Sequence, residues 1–266
     1  MLALSASSLS FDGFADSNFE KTFAQAKAAG YRNIEFNCWY ARTLSPEIIA
    51  QIKARCRQYG LAPVALHVGS YGGGTRDALC MNYCHKLRAI QAATELGCTR
   101  LVASGAARDT EGGLDAVVEE LALLLPYAQS HGVTLLLENH CQNVLANEQD
   151  YGYIFERVSS SHVGICVDTG HFDAEGVDPA AFAKRFAKNV KHIHLKENRV
   201  FGQKTFCRFG EGTTDHAAVI EALLAVGYSG YMSVELSPEI GENGDVRPFT
   251  LADRAKAVTL FSKFER

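Results

Sequence analysis

The chain predicts an α/β fold, a single (β/α)8 barrel over residues 1–266. Three features carry that expectation. Short apolar, β-branched runs alternate with longer segments of helical period. Successive runs begin roughly 27 to 40 residues apart, about the length of one βα unit. Glycine stands just past several helical segments, at Gly30, Gly60, Gly97, Gly132 and Gly227, where a left-handed residue ends a helix at little cost.

The strands are expected at Leu2–Ser8, Asn33–Phe36, Pro63–Val68, Arg100–Ser104, Thr134–Glu138, Val163–Asp168, His192–Leu195 and Tyr231–Leu236. Helices are expected at Phe19–Ala29, Pro46–Tyr59, Leu79–Leu96, Gly113–His131, Asp150–Val158, Pro179–Lys188, Asp215–Val226 and Thr250–Phe264. Strands alternating with helices imply a parallel sheet, and eight units close it into a barrel. An open doubly wound sheet is the competing arrangement. It would place a Gly-x-Gly-x-x-Gly after the first strand, and none is there. No Pro/Gly/Ser-rich linker marks a second domain.

Composition narrows the function classes. With 47% hydrophobic and 21% charged residues, the chain is ordinary for a soluble globular protein. A net charge of -4 gives no electrostatic reason to expect nucleic acid or an anionic membrane. There is no apolar run of about eighteen residues and no signal-like start, so a reducing cytoplasm is expected. The eight cysteines are scattered rather than arranged as a disulfide framework. Cys80 and Cys84 stand one turn apart beside His85. With no second pair to complete a tetrahedral site, they read as a helix face packed inward.

In such barrels, catalytic residues come from the C-terminal strand ends. Four consecutive strands here end in a metal-ligating type: LLLENH at Glu138, CVDTGH at Asp168, KHIHLK at His194 and YMSVEL at Glu235. Three carboxylates around one axial point need a cation to offset their repulsion. An oxygen-rich set with one nitrogen suits one divalent ion, Mn²⁺, Mg²⁺ or Co²⁺, with Zn²⁺ also admissible.

Strand alternation places Lys196 on the same face as His194, at the mouth, and His192 one layer deeper as a core histidine. Lys196 reads either as an electrostatic stabiliser of an enolate or as a salt-bridge partner of a site carboxylate. His140 lies two residues past Glu138, and His171 just beyond Asp168. His67 and Glu35 end the third and second strands at matching height, as candidate pocket residues. Trp39 and Tyr71 follow as a candidate apolar wall or as caps on the core. His85, His131 and His162 read as surface or capping residues. The connection from Arg199 to Thr214, with Lys204, Arg208 and a Gly-Glu-Gly, reads as a phosphate-binding loop or a lid.

With these motifs in place, and adding GEGTTDHAAVIEALLAVGYSGYMSVEL, the chain resembles the xylose isomerase-like TIM barrel superfamily, in its sugar phosphate isomerase/epimerase branch. The resemblance implies that Glu138, Asp168, His194 and Glu235 hold one divalent metal and that His171 contacts substrate or metal. It also implies that Glu138 and Glu235 shuttle protons through a metal-stabilised cis-enediolate of a small ketose, hydroxy-ketone or sugar phosphate. Ketose 3-epimerases carry an arginine shortly after the seventh-strand histidine; Arg199 stands one residue closer than that pattern.

Inosose and 3-dehydroshikimate dehydratases share the barrel and metal, and the latter pair Glu-x-His with His-x-Lys. Glu138-x-His140 and His194-x-Lys196 match both. The alternative is therefore dehydration of a cyclic polyhydroxy ketone, and a weaker one is a barrel that binds sugar without turning it over. The endonuclease IV branch needs an Asp-x-His after the seventh strand, absent here. The expected partner is a small sugar or polyhydroxy ketone. Barrels of this type often pair through their helices into homo-oligomers.

Overall fold

The computed structural model describes residues 1–15, 17–236 and 249–266. Its strands are β1 (Leu2–Ser7), β2 (Asn33–Asn37), β3 (Ala62–His67), β4 (Arg100–Ser104), β5 (Thr134–Glu138), β6 (Val163–Asp168), β7 (Val190–Leu195), a short hairpin of β8 (Glu197–Asn198) and β9 (Phe206–Cys207), and β10 (Gly230–Val234). Apart from the hairpin, these close in the order β1-β10-β7-β6-β5-β4-β3-β2, every neighbouring pair parallel. The expected barrel is present.

The helices are α1 (Leu9–Asp12), α2 (Glu20–Ala29), α3 (Pro46–Tyr59), α4 (Arg76–Leu96), α5 (Gly113–Ser130), α6 (Glu148–Arg157), α7 (Thr169–Glu175), α8 (Pro179–Arg185), α9 (His216–Leu224) and α10 (Leu251–Phe261). Local chemistry sets their limits. α3 starts at Ser45, whose side chain accepts from the Ile48 amide, with Pro46 in the first turn; it stops at Gly60 in the left-handed region. α4 begins three residues earlier than expected because Thr75 caps it. α6 begins two residues earlier because Asn147 and Asp150 form a capping box. α8 and α9 each end short of the expected limit.

Strand alternation divides the core. Outward side chains such as Leu101, Leu135, Ile165 and Ile193 pack under the helices. Inward residues Val64, Val102, Leu136 and Cys166 fill the barrel axis below the mouth. Each such buried aliphatic chain contributes about 1.5–3 kcal/mol, so the shell holding the strand ends is stiff.

One charged pair lies within the helical layer. Lys86 of α4 and Glu120 of α5 are buried with Lys86 Nζ 2.9 Å from Glu120 Oε1. Lys86 also donates to the Ser70 carbonyl at 2.6 Å, and Glu120 accepts from the Gly72 amide at 2.7 Å. Two helices thus clamp the loop that follows β3. The Cys80/Cys84 expectation is corrected: both thiols are exposed, so that face points to solvent instead of into the core. All eight cysteines are free. Among the described residues no helix is long and apolar enough to cross a membrane.

Candidate active site

β10, β7, β6 and β5 are neighbours in the barrel, so their C-terminal ends stand side by side. Glu138 ends β5, Asp168 ends β6, His194 is the penultimate residue of β7 and Glu235 follows β10 by one residue. Register pairs Asp168 with His194, His194 with Ser233 and Glu138 with Cys166, so neighbouring members of the four stand within two residues of one another along the strand ends. One donor atom from each lies within 4.8 Å of the others. His194 Nδ1 is 2.6 Å from Glu138 Oε1, 3.4 Å from Glu235 Oε2 and 4.0 Å from Asp168 Oδ2.

This donor set fits a divalent cation. Asp168 Oδ2 and Glu235 Oε2 are buried with no hydrogen-bond partner among the described residues, which is costly for a carboxylate oxygen. A divalent ion would satisfy those oxygens and offset the repulsion of three crowded carboxylates. The crowding is visible in their acidities. Burial, with Glu235 and Glu138 adding to it and Lys196 opposing, pushes Asp168 up to about 6. Burial alone would raise Glu138 too, yet His67 and His194 hold it well below the usual carboxylate range. His194 lies well above an ordinary histidine: burial opposes its charge, but Cys166, Glu35 and Glu138 outweigh that.

Lys196, just past β7, reaches into the same cluster. Its Nζ is 2.6 Å from Glu235 Oε1, 3.4 Å from Asp168 Oδ2 and 3.0 Å from His171 Nε2. Burial disfavours its charge, but Asp168, Glu235 and Glu138 hold it above an ordinary lysine. Lys196 is thus salt-bridged to two site carboxylates, and it also lines the cavity over them. Gly170 makes room for it, because a Cβ there would stand 2.7 Å from Lys196 Cγ.

His171 sits in the first turn of α7, its amide donating to Asp168 Oδ1 at 2.8 Å. Burial and the neighbouring charges of Lys196 and His140 keep it well below an ordinary histidine, hence neutral. Its ring packs on that of His140 with centroids 3.7 Å apart, and its Nδ1 is 3.2 Å from Cys141 Sγ.

A cavity of about 60 Å³ opens over the cluster. Glu138, Glu235, His171, Lys196, His67, His140 and Trp39 all line it. Two expectations are corrected, and Tyr71 takes the core placement of its two readings. Glu35 is not a wall residue; it lies beneath the cluster, fully buried, with Oε1 2.9 Å from His194 Nε2. Arg199 is turned away, its guanidinium 3.3 Å from Glu211 in the connection that follows β9. Tyr71 is buried outside the cavity, with Lys86 Nζ 4.8 Å from its ring centroid. The loop from Arg199 to Thr214 is tied down as the β8–β9 hairpin, and Arg208 engages Asp253 at 3.2 Å.

Sequence reasoning missed several neighbours. Phe14, Asn37 and Ser104 also line the cavity. Asn139 joins the ends of β5 and β6 by donating to the Asp168 carbonyl at 2.8 Å and accepting from its amide at 2.7 Å. Its position between Glu138 and His140 was the available signal.

A barrel of this topology has relatives. The family described as xylose isomerase-like TIM barrel matches residues 23–251, and the chain belongs to that family. The L-ribulose 3-epimerase of Mesorhizobium japonicum is 28% identical over 240 residues, covering 83% of this chain and 76% of that protein. The inosose dehydratase of Geobacillus thermodenitrificans is 26% identical over 142 residues, 47% of this chain, and the match spans only 48% of that relative. The IOLI protein, solved with a bound zinc atom, superposes with a TM-score of 0.77 at 20% identity, covering 98% of this chain and 99% of that one.

Proposed function

We propose that this chain is a divalent-metal-dependent isomerase or epimerase of a small ketose, hydroxy-ketone or sugar phosphate. One observation carries the reading: Glu138 and Glu235 present buried carboxylates to one cavity, each already held by its own partner. Glu138 Oε2 is 3.0 Å from His67 Nε2, and Glu235 Oε1 is 2.6 Å from Lys196 Nζ. Similarity to L-ribulose 3-epimerase over most of both chains supports it.

Glu138, Asp168, His194 and Glu235 would hold the metal, and Mn²⁺, Mg²⁺, Co²⁺ or Zn²⁺ suits the set. When bound, the ion supplies Lewis acidity that polarises a substrate carbonyl and acidifies the adjacent C–H. Glu138, ionised beside His67 and His194, takes that proton. Glu235, having taken up a proton from solvent, returns it to the other face for epimerisation or to the neighbouring carbon for isomerisation, and release of the captured proton from Glu138 to solvent restores the pair. Lys196 places a fixed positive charge where oxyanion character develops. Trp39 and Phe14 shield the carbanion from bulk water.

Dehydration of a cyclic polyhydroxy ketone is the second reading. The Lys196 ammonium, 3.0 Å from His171 Nε2 at the cavity wall, would protonate a departing β-hydroxyl. The inosose dehydratase match supports that reading over about half the chain. Incubation in deuterated water with ketoses, inosose and dehydroshikimate separates the two. Deuterium in recovered or isomerised sugar is expected; a new enone or aromatic absorbance instead favours dehydration. A protein that binds no divalent metal and holds sugar equally well as Glu235→Gln would leave neither reading standing.

A further inference from the structure

Below the donor cluster lies a second layer of polar groups that the proton chemistry does not use. Glu35, on β2 across the barrel from β7, is completely buried. Its Oε2 accepts from His192 Nε2 at 2.6 Å and from Ser233 Oγ at 3.1 Å. Ser233 Oγ in turn lies 3.1 Å from His192 Nε2, so carboxylate, hydroxyl and imidazole form a closed triangle. The other oxygen, Oε1, stands 2.9 Å from His194 Nε2 in an ion-pair contact, and neither of those two atoms makes a hydrogen bond among the described residues.

His194 is therefore flanked on both ring nitrogens. Nδ1 faces Glu138 and Glu235 in the cluster, while Nε2 faces Glu35 in the layer below. An imidazole can offer a lone pair at one nitrogen only if its proton sits on the other. The side on which a buried carboxylate waits decides which.

Burying a carboxylate at the barrel axis is expensive unless it is partnered, and Glu35 has more partners than its charge alone requires. His192 and Ser233 fix where Oε1 points. An apolar residue would fill the same volume without that cost. A carboxylate held by two donors and presenting its free oxygen to a third ring is an orienting device.

Resting on the metal-site reading above, we propose that Glu35 is a positioning residue. Through the Glu35–His192–Ser233 triangle it fixes the ring plane and the Nε2–H form of His194, and so directs Nδ1 at the ion. It is not one of the four proposed ligands, although its carboxylate lies within 4.8 Å of donor atoms of His67, His194 and Glu235. Its effect is on how tightly and in what geometry the ion is held.

The test is titration of metal-stripped protein with Mn²⁺ alone, by calorimetry, for wild type, Glu35→Gln and Ser233→Ala. Glu35→Gln keeps shape and removes the acceptor charge. Its Mn²⁺ affinity is expected to fall about 10–100-fold, with the melting temperature of the stripped protein little changed. Nitrogen-15 spectra of His194 in a Zn²⁺-loaded sample are expected to show a protonated Nε2 in wild type and a mixture in the variant. An unchanged affinity, or a loss matched by equal destabilisation of the stripped protein, overturns the proposal. Should Glu35→Gln not fold, Ser233→Ala decides: a several-fold weaker Mn²⁺ affinity supports the triangle, and none refutes it. Wild type taking up no Mn²⁺ would be a different failure, that of the metal site itself.

Discussion

Lys196 Nζ lies 2.6 Å from Glu235 Oε1 while Asp168 Oδ2 stands 3.4 Å away, so one ammonium serves two of the four proposed metal ligands. Replacing Lys196 by Met leaves those carboxylates with less compensation but removes no proposed ligand. The expected result is retained metal stoichiometry with turnover reduced about 10²-fold or more. Metal analysis together with kcat checks this; loss of metal and activity in equal proportion would show a purely structural salt bridge.

Glu138→Gln and Glu235→Gln are each expected to lower kcat about 10²–10⁴-fold, the usual worth of a positioned acid or base. If the two act from opposite faces, one variant should still wash deuterium into substrate without forming product. Mass spectrometry of recovered substrate reads that difference. Equal, complete loss of exchange in both would remove the two-base scheme.

Gly170→Ala puts a methyl group 2.7 Å from Lys196 Cγ and 2.9 Å from its carbonyl oxygen. Backbone cannot yield cheaply there, since Thr169 Oγ1 donates to the Lys196 carbonyl at 3.0 Å. The expected outcome is a fall in activity larger than the fall in melting temperature would explain. Circular dichroism melts beside initial rates test it.

Lys86→Met is expected to cost about 3–5 kcal/mol, because it strands the Glu120 carboxylate in the helical layer. A Lys86→Met/Glu120→Leu double variant should recover most of that loss. Denaturant titration of the three proteins decides whether the pair acts as a unit.

Glu197 supplies the pH-dependent case. Its carboxylate accepts from Gly210 N at 3.0 Å and Thr214 N at 3.1 Å, with His216 beside it. Burial would raise its pKa, but His216 and those amides hold it below the usual carboxylate range. A folded-state value below the unfolded one stabilises the protein above the unfolded value, near about 4.3, and that part is lost as pH falls through the folded value. Glu197→Gln should therefore be less stable than wild type at neutral pH, with the gap closing under acid. Melting curves from pH 7 downward measure it.

Much of the barrel was legible because its signals are local. Alternation, helix-ending glycines and strand-terminal charges each depend on a few adjacent residues. α7 and the β8–β9 hairpin escaped for the opposite reason. α7 is only seven residues long and is started by the Asp168 side chain, whose proposed metal role hid its capping role. Glu35 was expected at the cavity wall from its height on the strand. Its true neighbours, His192 and Ser233, lie 157 and 198 residues away in sequence. Arg199 was assigned by spacing after β7, and the hairpin turns it toward Glu211. Only ring closure reveals such pairings.

That closure bears on the order of assembly. The proposed donors sit on β5, β6, β7 and β10, which are consecutive around the wall, whereas Glu35 arrives from β2 on the far side. A partly folded C-terminal half would already own every donor yet lack the strut beneath its histidine. Contacts spanning so much chain form late, since their loop-closure entropy must be met first. An ion captured during refolding would therefore bind loosely at first and tighten as the first strands dock, so Mn²⁺ uptake should show a slow second phase that Glu35→Gln abolishes.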